Sequence, residues 1–249
     1  TLTGLNVQTT GNAIFTPFGI GDATLGLGFI TGDYQFNSAL ITEIETAVSA
    51  ASTTFGRSDG TGSISIQSAT FTEPVTFLSS TGNINIIDNL TGTGATSFTF
   101  NTAGNVTFSG VTSTISSTTA LAPGGVFVNS ATLKLGTGAF SSFALNVNGD
   151  FSLGTGSSYA PRLGSISTDL LNVTGALNIN PAAKLSVQSL SGYAGTAGAT
   201  HTILNATTLT GSFVSPITVT PTITNSISTI YSGTNLVLSL FASGTVFEL

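Results

Sequence analysis

Apolar and polar residues alternate with a period of two through most of the chain. The short runs include Ile64-Ser65-Ile66, Val75-Thr76-Phe77, Ile84-Asn85-Ile86, Ser97-Phe98-Thr99-Phe100, Val106-Thr107-Phe108, Leu133-Lys134-Leu135 and Phe151-Ser152-Leu153. Such alternation gives an extended chain one apolar and one polar face, so each run predicts a short, half-buried strand. Gly, Asn, Asp and Ser stand at the boundaries and supply the turns.

The runs also repeat. Gly62-Ser63-Ile64-Ser65-Ile66 returns twenty residues later as Gly82-Asn83-Ile84-Asn85-Ile86, and twenty-two residues after that as Gly104-Asn105-Val106-Thr107-Phe108. Val126-Phe127-Val128, Leu145-Asn146-Val147 and Leu171-Asn172-Val173 continue the series more loosely. Several short strands in each period of about twenty residues predict an all-β chain folded as a β-solenoid (parallel β-helix), one coil stacked on the next. Ile64, Ile84, Val106 and Val126 are then expected in one inward stack, with Ile66, Ile86, Phe108 and Val128 in the next. Asn83 and Asn105 are expected to begin equivalent turns. An antiparallel β-sandwich, which spaces its turn signals in a similar way, is the alternative.

One segment breaks the period. Asn37 to Ala51 places Leu40, Ile41, Ile44, Ala47 and Val48 at helical spacing, which predicts a helix near 38–51 capped by Asn37 or Ser38. Glu43 and Glu45 are expected near its start, where the helix dipole favours acids. The chain thus divides into an N-terminal cap or junction region, 1–60, a solenoid, 61–240, and a C-terminal apolar tail, 241–249. Open strand edges aggregate unless covered, so the helix is expected to cap the first coil or to sit at a junction between subunits.

Composition narrows the function classes. Charged residues are 6% of the 249, against about 25% in ordinary soluble domains. Thr, Ser and the 30 Gly make the chain polar without making it charged. The four cations, Arg57, Lys134, Arg162 and Lys184, are far apart in sequence and outnumbered by ten acids. Nucleic-acid binding needs clustered cations and is excluded. No apolar run is long enough to span a membrane. Absent Cys excludes disulfides and thiolate-ligated metal, and no cofactor is expected. The chain contains no Met and starts at Thr1, which suggests removal of an N-terminal leader and an extracellular or cell-surface location.

Reactive constellations are sparse. His201 is the sole histidine and has no nucleophile motif beside it, so it reads as a polar strand-edge residue. Among the acids, Asp150 and Asp169 are one coil apart and Glu73 and Asp88 are not; a glycan hydrolase would need such a pair across a cleft. Asn148-Gly149-Asp150 reads as a turn rather than a metal loop. Gly19-x-Gly21, Gly26-x-Gly28 and Gly92-x-Gly94 lack the helix and Lys of a phosphate loop. Asn89, Asn105, Asn172 and Asn205 head glycosylation sequons that are common by chance in so Asn- and Thr-rich a chain.

From Gly149 to Leu240 the text runs through "DLLNVTGALNI", "GYAGTAGATHTIL" and "YSGTNLVLSL". In that order these segments resemble the terminal region of the autotransporter-associated β-strand repeat proteins and, more broadly, filamentous-haemagglutinin-like secreted β-helices. The resemblance implies an extracellular bacterial adhesin, fibre or scaffold. The membrane β-barrel of an autotransporter has no counterpart in these residues.

Both ends of the chain are alternating and apolar. Leu2, Leu5 and Val7 at the N-terminus, and Leu236, Leu238, Leu240, Val246, Phe247 and Leu249 at the C-terminus, are candidates for a contact between copies by strand addition. The reading is a non-enzymatic, secreted subunit that polymerises head-to-tail with copies of itself into a surface filament. A monomeric adhesin or carbohydrate-binding module taking a cell-surface glycan, with Tyr159, Tyr193 and Tyr231 as candidate contacts, is the alternative. A glycan-active β-helix enzyme is the second.

Overall fold

The computed structural model describes residues 7–17, 21–28, 31–93, 96–110, 114–116, 125–138, 141–190, 192–220, 223 and 225–242. Among the described residues the chain is mostly β, with one helix and two long sheets whose strands are almost all parallel. Among the described residues, antiparallel strand pairing is confined to Asn235–Phe241, which lies between Thr200–Thr210 and Ser226–Ser232. The alternating runs form the expected strands, each with its apolar residues turned into a single continuous core. An antiparallel sandwich is therefore not the architecture.

The ten-stranded sheet begins at the edge strand Tyr34–Phe36 and continues through Leu25–Gly28, Ile64–Gln67, Ile84–Ile86, Asn105–Phe108, Thr132–Leu135, Ser158–Ala160 and Lys184–Ser189 to Val214–Thr220. The fourteen-stranded sheet holds two parallel ladders. One contains Asn12–Phe15, Ser52–Gly56, Val75–Leu78, Ser97–Asn101, Gly125–Asn129 and Phe151–Leu153; the other contains Ala69–Phe71, Leu90–Gly92, Thr114–Ser116 and Ala144–Asn148. The long strands Leu170–Ile179 and Thr200–Thr210 run through both ladders and join them.

Register follows the repeat only in part. Ile64 pairs with Ile84 and Ile84 with Val106, as the spacing predicts. The next partner of Val106 is Leu133, not Val126. Val126 and Val128 lie in the other sheet, opposite Phe98 and Phe100. Thr114–Ser116 matches Ala69–Phe71 and Leu90–Gly92 before it. The run from Phe108 to Val126, however, is 18 residues against 12 from Ile86 to Phe98, so the residues at the expected spacing already lie in the next ladder. The partner offset thereby grows from 20 residues at Ile64–Ile84 to 27 at Val106–Leu133.

The glycine that opens each repeat has a steric cause. A side chain on Gly82 would run into the carbonyl oxygen of Gly62, and one on Gly104 would meet the carbonyls of Thr81 and Gly82. Buried hydroxyls fasten these corners. Ser79 Oγ donates to the Gly60 or Gly62 carbonyl and accepts from the Gly82 N–H, while Thr102 Oγ1 donates to Gly82 O at 2.7 Å and accepts from Gly104 N. Asn83 and Asn105 stack, with Asn105 donating from both its backbone N and Nδ2 to Asn83 Oδ1 at 3.0 Å.

The helix spans Ser38–Ala47, with the Asn37 side chain accepting from Leu40 N at 2.9 Å. It stops before 51 because Val48–Ser49 turns extended and pairs with Val7–Gln8. No acid lies in its first turn, and Glu45 belongs to its last, so the dipole argument applied to Glu43 and Glu45 does not hold. Ile41 and Ile44 are buried against the sheets. Leu25, Leu27, Ile41 and Phe55, before residue 60, belong to the same core as the strands that follow.

Candidate functional site

Every ladder ends somewhere, and its end strands are where pairing stops among the described residues. At the N-terminal side, Asn12–Phe15 pairs only with Ser52–Gly56 and Tyr34–Phe36 only with Leu25–Gly28 among the described residues. The third ladder ends at Ala69–Phe71, against which the helix packs. At the C-terminal side, among the described residues, Val214–Thr220 pairs only with Lys184–Ser189, and Ser226–Ser232 only with Asn235–Phe241.

Strand polarity is the notable feature of the C-terminal side. Asn235–Phe241 runs against Thr200–Thr210, and Ser226–Ser232 runs against Asn235–Phe241. Two reversals restore the direction of the ladder. Both outermost strands, Val214–Thr220 and Ser226–Ser232, therefore run the same way as every parallel strand before them.

The exposed apolar side chains fall on these same strands. Among the described residues, the large exposed hydrophobics are Ile14, Tyr34, Val214, Ile230, Tyr231 and Ile166. All but Ile166 sit on one of the four end strands. Between Val214–Thr220 and Ser226–Ser232 opens a groove of about 650 Å³ lined by Ile217, Val219, Ile223 and Ile227. Ser215, Asn225 and Ser228 also line it, so the groove is of mixed polarity, and an edge strand beside such a groove is a template for another strand.

The residues expected to make such a contact are placed differently. Leu236, Leu238 and Leu240 are fully buried in this chain's own core, and their strand is paired on both edges. Their side chains are thus occupied within the molecule. The Val7 backbone pairs with Val48. Leu2, Leu5, Val246, Phe247 and Leu249 lie outside the described residues. Ile14, Tyr34, Val214 and Ile230 carry no local sequence signal, because exposure here depends on being last in a ladder.

Polar chemistry in the C-terminal half centres on a buried ion pair. Asp169 accepts from Arg162 Nε at 2.7 Å, Arg162 Nη2 at 2.9 Å, Arg162 N at 3.0 Å and Phe143 N at 2.8 Å. Arg162 Nη1 also donates to the Gly138 carbonyl, so the pair pins the 136–143 loop to the sheet. Burial pushes the Asp169 carboxyl above its ordinary value, while the guanidinium pulls it down. Asp150 does not meet Asp169. Its Oδ1 instead accepts from Ala176 N at 2.7 Å, at the register shift inside Leu170–Ile179.

His201 is 8% exposed rather than a free strand-edge residue. Its Nδ1 lies 2.7 Å from Thr168 Oγ1 and its Nε2 3.3 Å from the Tyr193 hydroxyl, and burial lowers its pKa. The three tyrosines do not form a patch. Tyr159 is in the core and donates to Ile203 O, Tyr193 packs on His201, and Tyr231 accepts from Phe213 N on the outer strand. Three of the four sequon asparagines are engaged in side-chain ladders. Asn105 bonds Asn83, and Asn205 and Asn172 link Asn172 and Asn146 in turn at 2.9 and 3.2 Å.

The acids that the fold does bring together are Glu45 and Glu73. Glu45 Oε2 accepts from Thr72 N and faces Thr72 Oγ1, both at 2.7 Å; Glu73 Oε2 is 3.0 Å from that same hydroxyl. Thr53 Oγ1 donates to Glu73 Oε1 at 2.6 Å. Their meeting depends on the helix docking beside the turn after Ala69–Phe71, which nothing in the linear spacing reveals. Among the described residues, no group of three or more His, Cys, Asp or Glu is placed to hold a metal ion, and no helix is long and apolar enough to cross a membrane.

No protein-family model matches the chain, and no curated protein matches it.

Proposed function

We propose that the chain is a structural subunit built as a β-solenoid, whose two ends join copies head-to-tail into an extracellular filament. The observation that carries this reading is the agreement between the ends. Two parallel edge strands with exposed apolar side chains lie at one end, and two more of the same polarity lie at the other. Tyr34–Phe36 of one copy continues the ladder that ends at Val214–Thr220 of another, and Asn12–Phe15 continues the one that ends at Ser226–Ser232. Each junction leaves one free end on either side, so the contact does not close and growth is open-ended.

Composition supports the same reading. A chain with 6% charged residues offers little electrostatic repulsion between stacked copies, and four Lys and Arg give trypsin-like proteases few cleavage sites. The resemblance to secreted β-helix proteins points to the same location, outside a bacterial cell. The subunit does no chemistry in this account.

Lysine on an edge strand blocks pairing with another strand. Ile14→Lys blocks one end and Ile230→Lys the other. Each variant alone is expected to sediment as a monomer, and an equimolar mixture as a dimer through the two intact ends. Polymers from either variant, or no dimer on mixing, would refute the head-to-tail contact.

A further inference from the structure

We infer that the helix Ser38–Ala47 is latched to the sheet by a proton shared between Glu45 and Glu73, so that it docks tightly in acid and loosens as pH rises. The inference does not depend on the assembly reading.

Glu45 occupies the last turn of the helix, where unpaired carbonyls and the negative end of the dipole already oppose a second negative charge. Its Oε2 is held by Thr72, while Oε1 is buried with no donor directed at it. The Thr72 hydroxyl has one proton and stands between both carboxyls, so it serves one of them at a time. With both groups ionised, two negative charges meet in a half-buried site and an oxygen is left without a donor. With one proton added, Glu45 donates across to Glu73 and the conflict disappears.

Among the described residues no cation relieves the pair. Val48–Ser49, Ala69–Phe71, Leu25–Gly28 and Tyr34–Phe36 pack on the helix, and the Tyr34 phenol is the sole titratable side chain they carry. Glu43 adds a further acid on the helix itself. Asp33 accepts from Thr24, and the nearest cation in sequence, Arg57, is engaged with Asp59.

Burial, and then the charge of Glu73, drive the Glu45 pKa up from 4.5 to about 7, against the opposing pull of the Thr72 hydrogen bonds. A group whose pKa rises on folding binds its proton more tightly in the folded chain. Its contribution is complete below about 4.5, is lost progressively as pH rises to about 7, and changes little beyond that.

The test is amide hydrogen exchange across the helix at pH 5 and pH 8, corrected for the intrinsic pH dependence of exchange. The full chain is expected to show an opening constant roughly fifty- to a hundredfold larger at pH 8. The pKa rises from 4.5 to about 7 on folding, each pH unit is a factor of ten, and most of that span falls between pH 5 and pH 8. In Glu45→Gln the amide reproduces the protonated acid, and the constant is expected to stay at its low value at both pH values. In Glu73→Gln the neighbouring charge is gone, and the rise is expected to move to lower pH. A full chain with no pH dependence, or a Glu45→Gln variant that loosens as the full chain does, would overturn the latch. If Glu45→Gln does not fold, an unmoved transition in Glu73→Gln overturns it equally.

Discussion

The two halves of the molecule solve the same packing problem with different materials. In the N-terminal half, Phe15, Phe55, Phe77 and Phe100 lie in register on successive strands, with ring centroids 5.2, 6.1 and 5.4 Å apart. Phe71 packs edge-on against Phe77 of this row and against Phe98, and tilted against Phe55. In the C-terminal half the same row continues as Val128, Leu153 and Ile179. The corners differ by one addition. Buried hydroxyls on glycine carbonyls fasten turns in both halves, at Ser79 and Thr102 and again at Ser157. Among the described residues the aliphatic half adds a buried charged clamp, Arg162 and Asp169.

Removing half of that clamp is expected to have the largest effect. Asp169→Asn leaves the Arg162 guanidinium buried without its counter-charge, which costs about 3–5 kcal/mol. Amides of the 141–190 region are expected to lose protection while those near Phe77 keep theirs. An Arg162→Met, Asp169→Leu double variant is not expected to recover full stability in denaturant. The N–H groups of Phe143 and Arg162 would still lack their acceptor.

The complementary change in the aromatic half is Phe77→Ala, which opens a cavity in the middle of the row and costs about 3–4 kcal/mol. Its loss of protection is expected among residues 52–101 and not beyond Phe151, because each strand touches only its neighbours. Unfolding of both halves together in either variant would erase the distinction between them.

A smaller effect follows from Gly82→Ala. The added methyl group meets the Gly62 carbonyl, a strain of about 1–3 kcal/mol that chemical denaturation can read. Asn172→Ala is the mildest. It breaks two side-chain hydrogen bonds at a half-buried site, for a loss of about 1 kcal/mol by the same measurement.

The same contrast explains what the sequence conveys. Alternation located nearly every strand of the core, and the Gly-Asn repeat paired Ile64, Ile84 and Val106 correctly, because in that half each turn adds a near-constant number of residues. After Phe108 the count fails. Val126-Phe127-Val128 looks like the next repeat yet belongs beside Phe98 and Phe100, since two inward valines read alike in any ladder. Arg162 and Asp169 are seven residues apart, but their role depends on the loop they fasten, which no spacing announces. The end strands were invisible for another reason. Nothing in Asn12-Ala13-Ile14-Phe15 differs from an interior strand; only its place in the stack exposes Ile14.

The most direct test of assembly is electron microscopy with fibre diffraction of the purified chain at neutral pH. The ladder from Tyr34–Phe36 to Val214–Thr220 stacks nine strands and the one from Asn12–Phe15 to Ser226–Ser232 stacks ten, each about 4.8 Å from the next. The account predicts filaments with a 4.8 Å reflection along the axis and a subunit repeat of roughly 43–48 Å, which is nine to ten such spacings. Single particles of one chain at every concentration, or filaments whose strands run along the axis, would contradict it.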